Sequence, residues 1–477
     1  MLISDLHLGE ACKEHSRIEY LKRSTKLDES IVTFLDHFTH HRVKARPWRL
    51  ILGGDLLDFL QVTTVPANAS PEDVRYGLGT KMSDSVWKLQ ALMERHRRFF
   101  VYLAGFVGAG HRVEIIRGNH DEELFWPEVQ NALVEGLARI YFGQESASPE
   151  ARKAFTERIH FSEWFFYEPG LIYIEHGHRF DEYCVTPPQL CPLRPESDDE
   201  LVLPLSALAI RYFANLEPGF QTHDKEHWGP IDYVRHFKRK GWLHLISLFA
   251  RHLDFALRSI RYYWDHGRHE SATAQKEKEE AFTELARSSG LNKSQLRSLD
   301  ALSAPSVMSN LPALFANLGL GETLTILTAA MLVPLSLATD WPVFAELAGI
   351  SAFAAAGFYL SGRNRARFSR DIRGKLRQAA ETISTIVDAP VVCFGHCHAP
   401  VVERLSHDHR SFYANTGNFL AAVDDDDPAG HSVVNSYIIL ERPSPDEFPT
   451  PVLHRWRGST GGPTVDEHQP LSLDESQ

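Results

Sequence analysis

The sequence predicts an α/β fold, and three observations carry that prediction. Short apolar runs recur, most of them breaking near a glycine, and each delivers a polar residue. Helix-length patterns separate several of these runs. Between Cys184 and about Asp388 the alternation stops, and the pattern is helical over roughly two hundred residues.

In chain order, "LISDLH" has only a few apolar residues ahead of Ser4 and Asp5. A core strand usually has about five or six. The run therefore reads as a truncated or very short strand that delivers Asp5 and His7. Helical patterns follow over 30–40 and 83–101. "WRLILGGDLLD" breaks at Gly53 and Gly54 and delivers Asp55, with Asp58 three residues on. "HRVEIIRGNHDEE" breaks at Gly118 and delivers Asn119, His120 and Asp121. "GLIYIEHGHRFDEY" delivers His176, with His178, Arg179 and Asp181 behind it. "VVCFGHCHAP" delivers His396 and His398. In an extended segment, residues two apart point the same way. His396 and His398 are thus expected to reach one object while Cys397 points away.

Composition narrows the function classes. The chain has 477 residues and a formal charge of −12, enough for a full-sized core plus a further module. The negative balance and the lack of a base-stacking platform argue against nucleic acid as a partner. Five scattered cysteines do not form a disulfide framework and suit a reducing compartment. The opening residues do not read as a signal peptide.

The predicted organisation is a sheet-forming domain over 1–185 and 388–442, a helical insertion over 186–387, and an acidic tail over 443–477 with little structure. Within the insertion, 235–268 mixes bases with aromatics, and 277–302 reads as a charged helical pair broken at Gly290. "TLTILTAAMLVPLSLAT" has no charge, and "WPVFAELAGISAFAAAGFYL" has only Glu346. Together 323–360 reads as a membrane hairpin, with a soluble helical lid as the alternative. Two spans return the chain to the side it left, and the basic run behind them keeps the sheet-forming half cytoplasmic. The stretch 235–268 is a second candidate for membrane contact.

The strand ends collect Asp5, His7, Asp55, Asn119, His120, His176, His396 and His398. Imidazole, carboxylate and one amide, without thiolate, suit divalent Mn most, with Fe or Zn as alternatives. So many donors exceed one ion's needs and fit two ions that share a carboxylate, an arrangement that clamps the attacking and leaving oxygens of a displacement at phosphorus.

In order, Asp5-Leu6-His7, Gly54-Asp55-Leu56-Leu57-Asp58, Gly118-Asn119-His120-Asp121, His176 and Gly395-His396-Cys397-His398 resemble the motifs of the calcineurin-like metallophosphoesterases. The resemblance covers roughly 1–185 and 388–440 and implies a sandwich of two mixed β-sheets flanked by helices, interrupted here by a large helical insertion. It implies that Asp5, His7 and His398 hold one metal, that Asn119, His176 and His396 hold the other, and that Asp55 bridges them. His120 would act as general acid or hydrogen-bond donor to a phosphoryl oxygen, supported by Asp58 and Asp121, and a metal-bridging hydroxide would be the nucleophile. His178 and Arg179 are candidate substrate contacts. The expected activity is hydrolysis of a phosphoester, lipid-linked or membrane-proximal if the hairpin spans. A protein phosphatase or a soluble phosphodiesterase is the alternative, and a non-enzymatic scaffold the remote one. "SDLHLGE" and "GGDLLDF" are also similar to UDP-2,3-diacylglucosamine hydrolases, although that branch carries Arg where this chain has His120.

Overall fold

The structure is a computed structural model that describes residues 1–9, 17–143, 147–194, 197–217, 241–266, 272–320, 349, 371–406, 408, 410–419, 435–442, 444, 447–457 and 464–466. Two mixed sheets organise it. The strands of the first are β1 (Leu2–Ile3), β2 (Arg49–Gly53), β3 (Arg112–Ile116), β4 (Ile159–Ser162), β12 (Ser436–Glu441), β13 (Thr450–Arg457) and β14 (Thr464–Asp466). Their order is β14-β13-β12-β1-β2-β3-β4, with β1 to β4 mutually parallel. The second contains β5 (Phe165–Glu168), β6 (Ile172–Glu175), β9 (Val391–Phe394), β10 (Val401–Arg404) and β11 (Phe412–Asn415) in the order β10-β11-β9-β6-β5. A small hairpin, β7 (Leu193–Arg194) with β8 (Ser197–Leu201), stands apart.

The continuous apolar runs arise because each central strand is buried on both faces. In β2, Ile51 points between the sheets, where it joins Leu2, Ile116, Ile172, Ile174 and Val391 in one core. Its neighbours Leu50 and Leu52 point the other way, into a core shared with Phe34, Leu89, Phe100 and Leu133. Those residues come from α1 (Arg17–His40), α3 (Met82–Arg95), α4 (Arg97–Gly108) and α5 (Pro127–Phe142). Two shorter helices, α2 (Pro71–Tyr76) and α6 (Pro149–Thr156), complete this half. In β9, Val391 and Cys393 face the first sheet, while Val392 and Phe394 face helices beyond the second. Sheets packed face to face with helices outside give an α/β sandwich.

Three departures from the sequence reading stand out. The single helix expected over 83–101 is two, α3 and α4, broken at His96 (φ −102°, ψ 34°). The buried His96 ring reaches the Gly9 carbonyl at 2.7 Å. The insertion contributes a short hairpin, β7 with β8, where no strand is expected. The tail expected to lack structure supplies β13, which pairs with all six residues of β12. The basic run behind the apolar pair continues into α12 (Ile372–Ile386), whose Leu376, Ala379, Ala380 and Ile383 bury against the second sheet.

The rest of the insertion divides in two. Helices α9 (Ala272–Ser289) and α10 (Lys293–Asp300) join α12 over the second sheet, through Phe282, Leu296 and Leu299. The break expected at Gly290 is present, with φ +73° there and a reciprocal Asn292–Gln295 cap opening α10. Helices α7 (Leu205–Tyr212), α8 (Trp242–His266) and α11 (Leu311–Asn317) form a separate core with Leu208, Phe255 and Leu314. That core includes Leu60, two residues after Asp58. Helix α8, from the basic-aromatic stretch, buries Phe255 and Ala256 but exposes Leu243, Ile246, Leu257 and Trp264. Among the described residues no helix is long and apolar enough to cross a membrane. The expected hairpin over 323–360 lies outside the described residues, apart from residue 349.

Candidate metal centre

Parallel pairing of β1, β2 and β3, and of β6 with β9, brings five strand ends to one edge of the sandwich. The loops there continue to zip beyond the strands. His7 N donates to the Asp55 carbonyl at 2.9 Å, Asp58 N to the Leu8 carbonyl at 2.9 Å, and Phe59 N to the His120 carbonyl at 3.1 Å. The backbone then turns sharply at the chemistry-bearing residues. Asp5, His7, Asp55, His396 and His398 all have φ between +46° and +65°. Non-glycine residues rarely adopt that region, and such conformations concentrate at functional sites.

Two glycines are required by close approach. A Cβ on Gly54 (φ +92°) would collide with the His176 ring, meeting its Cγ at 2.5 Å. A Cβ on Gly118 would come within 2.6 Å of the Asp55 amide nitrogen. These glycines let β2, β3 and β6 crowd Asp55 and His176 together.

The side chains form two adjoining donor groups. In the first, His7 Nε2 and His398 Nε2 lie 3.3 Å apart, with Asp5 Oδ1 3.9 Å and 3.2 Å from them respectively. In the second, His176 Nε2 lies 3.1 Å from Asp55 Oδ2, and His396 belongs to the same group. The same Asp55 oxygen is 3.8 Å from His7 Nε2, so one carboxylate oxygen faces both groups. Donors about 2.1 Å from a shared ion lie about 3.0–3.4 Å apart, and most of these separations are close to that. The buried Asn119 Oδ1 has no hydrogen-bond partner among the described residues, an orphan acceptor of the kind a cation satisfies. Buried Asp and His groups able to hold a metal ion are therefore present.

Supporting contacts fix these donors. His176 Nδ1 donates to the Gly53 carbonyl at 3.0 Å, which leaves Nε2 for the group. Asp5 accepts from the His396 amide at 3.2 Å and from Ser4 Oγ, which also contacts Thr416 Oγ1 at 2.5 Å. Burial alone would raise the Asp55 carboxyl, but the imidazoles of His176, His120 and His7 hold it well below its ordinary range. Burial works against protonation of His176, yet the Asp55 carboxylate raises it to about 10. Without metal, the pair thus holds a proton that a cation would displace.

His120 stands beside the first group, its ring edge-on to His7 with centroids 4.6 Å apart. Its Nδ1 lies 3.1 Å from Asp58 Oδ2, an ion-pair contact. Asp121 does something else. Its Oδ2 accepts from Leu56 N at 2.8 Å and Leu57 N at 3.4 Å, and its Oδ1 accepts from Gly118 N at 2.6 Å. It ties the loops after β2 and β3 together, so where support of His120 is expected its carboxylate clamps backbone amides. His178 is buried near His176, ring centroids 5.5 Å apart, and its Nε2 meets Gln189 Nε2 at 3.1 Å. Burial, then His176 and His396, push its ring well below the ordinary histidine range.

Arg179 is not beside the donor groups. It is 1 % exposed and bonds both oxygens of Glu175, at 2.8 Å and 3.0 Å, while Nη1 donates to the Leu299 carbonyl of α10 at 2.7 Å. The expected substrate contact is thus a buried tie between β6 and the insertion. The extended-strand argument for His396 and His398 also fails. Strand β9 ends at Phe394, and the left-handed turns send His396 to Asp55 and His398 to Asp5. Cys397 does point away, into the core of the second sheet. Ser4 and Gln189 gave no signal in sequence beyond being polar. A scan against family models, a search of curated proteins and a search of solved structures each found no match to this chain.

Proposed function

We propose that the chain is a dinuclear-metal phosphoesterase that hydrolyses a P–O bond. The observation that carries this reading is the single Asp55 oxygen facing two His/Asp donor groups, with the His120–Asp58 pair alongside. On this reading Asp5, His7 and His398 hold one ion, Asn119, His176 and His396 the other, and Asp55 both. The all-nitrogen-and-oxygen donor set favours Mn over Zn or Fe. When bound, such a pair supplies Lewis-acid activation of water and of the phosphoryl oxygen.

The chain's own groups supply the remainder. Asp58 fixes the His120 ring through Nδ1, so a proton on Nε2 can be offered to the leaving oxygen or to a phosphoryl oxygen. The α7–α8–α11 core, anchored by the Asn215 side-chain amide on the Leu60 carbonyl at 2.8 Å, stands next to the Asp58 loop and would select the substrate. Membrane-proximal and lipid-linked phosphoesters are one substrate class consistent with a helical insertion at this position.

The test is Mn²⁺-dependent hydrolysis of chromogenic phosphate monoesters and diesters, with wild type, His120→Ala and Asp55→Asn. Turnover that needs metal and falls about 10²–10⁴-fold in His120→Ala supports the reading. Metal-independent turnover, or full activity in Asp55→Asn, would overturn it.

A further inference from the structure

His396 has a second set of neighbours. Its Nε2 lies 3.4 Å from Asp181 Oδ2, and Asp181, Cys184 and His396 place one donor atom each within 4.8 Å of one another. Local backbone builds this arrangement. Cys184 N and Val185 N both donate to the Asp181 carbonyl, at 3.0 Å and 2.9 Å, closing a tight turn that brings the Asp181 and Cys184 side chains together. Tyr183 N donates to Asp181 Oδ1 at 2.9 Å, which aims the other carboxylate oxygen at His396. The chelating pair is thus preformed by Asp-Glu-Tyr-Cys, three residues apart.

The donor chemistry differs from that of the two groups beside it. Those offer oxygen and nitrogen only, whereas this one adds a sulfur. One thiolate, one imidazole and one carboxylate, with a solvent molecule as fourth ligand, match a tetrahedral zinc site and suit Mn²⁺ poorly. We propose that Asp181, Cys184 and His396 form a third metal site, selective for zinc-like ions. Because His396 belongs also to the Asp55 group, filling this site competes for an imidazole of the dinuclear centre. The binding claim is independent of the proposed phosphoesterase activity. The consequence, that excess zinc inhibits the Mn²⁺-loaded chain, rests on that activity.

Co²⁺ serves as the probe, since a thiolate ligand gives it a near-ultraviolet charge-transfer band that oxygen and nitrogen ligands do not. Titration of the metal-depleted full chain is expected to give that band in wild type and in Asp55→Asn, but not in Cys184→Ser. The serine variant should keep a wild-type circular dichroism spectrum, so that loss of the band reports the missing thiolate and not unfolding. A wild type without the band, or a Cys184→Ser variant that retains it, would overturn the third site. A band present in wild type with no further ions bound would uphold this site while refuting the dinuclear centre. If the dinuclear centre turns over, Zn²⁺ inhibition should weaken at least about tenfold in Cys184→Ser. Equal inhibition of both would refute the competitive role.

Discussion

Replacing Arg179 with Met separates a substrate contact from a structural tie. The guanidinium bonds both Glu175 oxygens and the Leu299 carbonyl, stacks 4.2 Å over Phe180, and is almost entirely buried. Removing it leaves the buried Glu175 carboxylate, which also accepts from Trp164 Nε1 at 2.7 Å, without its cation. Loss of one partner from a buried ion pair costs about 3–5 kcal/mol, a large part of a typical total of about 5–15 kcal/mol. The Leu299 carbonyl also loses its guanidinium donor and, among the described residues, keeps only Leu302 N at 3.2 Å, so the damage should centre on α10. Urea unfolding should show an unfolding free energy lowered by that amount, with early proteolysis near 293–300. The double variant Glu175→Leu/Arg179→Met should recover much of the loss, because no uncompensated charge is left behind. A single variant within about 1 kcal/mol of wild type, with KM for a phosphoester raised tenfold or more, would refute the tie and restore the substrate role.

Three other perturbations bear on the site. Asp58→Asn removes the carboxylate that orients His120, and should lower kcat by about 10–100-fold while Mn²⁺ stoichiometry stays at the wild-type value; loss of metal instead would make Asp58 a ligand. Gly118→Ala puts a methyl group against the Asp55 amide and carboxylate, so isothermal titration should show weakened binding of Mn²⁺, and unchanged affinity would contradict the close approach. Glu122 is buried and its carboxyl is pushed from an ordinary 4.5 up to about 7, by burial first and against the pull of Arg117. The metal-free folded chain therefore holds that proton more tightly than the unfolded chain, and stability falls as pH rises from about 4.5 through 7, by about 3 kcal/mol in all. Glu122→Gln should accordingly unfold at a higher temperature than wild type at pH 8 and lose that advantage near pH 4.5; equal melting at pH 8 would contradict it.

Much of the site was legible because its residues sit at strand ends, where a glycine break followed by Asp, Asn or His stands out against an apolar run. Asp55, Asn119, His396 and His398 surfaced that way, while Asp5 and His176 stood out as polar residues closing an apolar run. What the pattern could not supply was direction. Whether His396 and His398 share an ion depends on left-handed turns after Phe394, and period-two reasoning applies only to extended backbone. Arg179 follows His176 by three residues, yet the 3-10 turn at His178–Phe180 swings it back onto Glu175. Asp58 and Asp121 look alike in sequence, one after each motif. One faces an imidazole and the other faces amides, a distinction set by how two loops zip together. Strand β13 escaped notice because a proline-rich, acidic neighbourhood hid its alternating Val452, His454 and Trp456. The helices of the insertion were visible, but their division between the second sheet and the separate α7–α8–α11 core follows from long-range packing alone.

The most direct test of the account is a Mn²⁺ titration of the metal-depleted chain, read by electron paramagnetic resonance. Two ions facing a single Asp55 oxygen should bind per chain and give an exchange-coupled spectrum, which collapses to that of isolated ions in Asp55→Asn. One ion per chain, or an isolated-ion spectrum at saturation in wild type, would contradict the dinuclear centre.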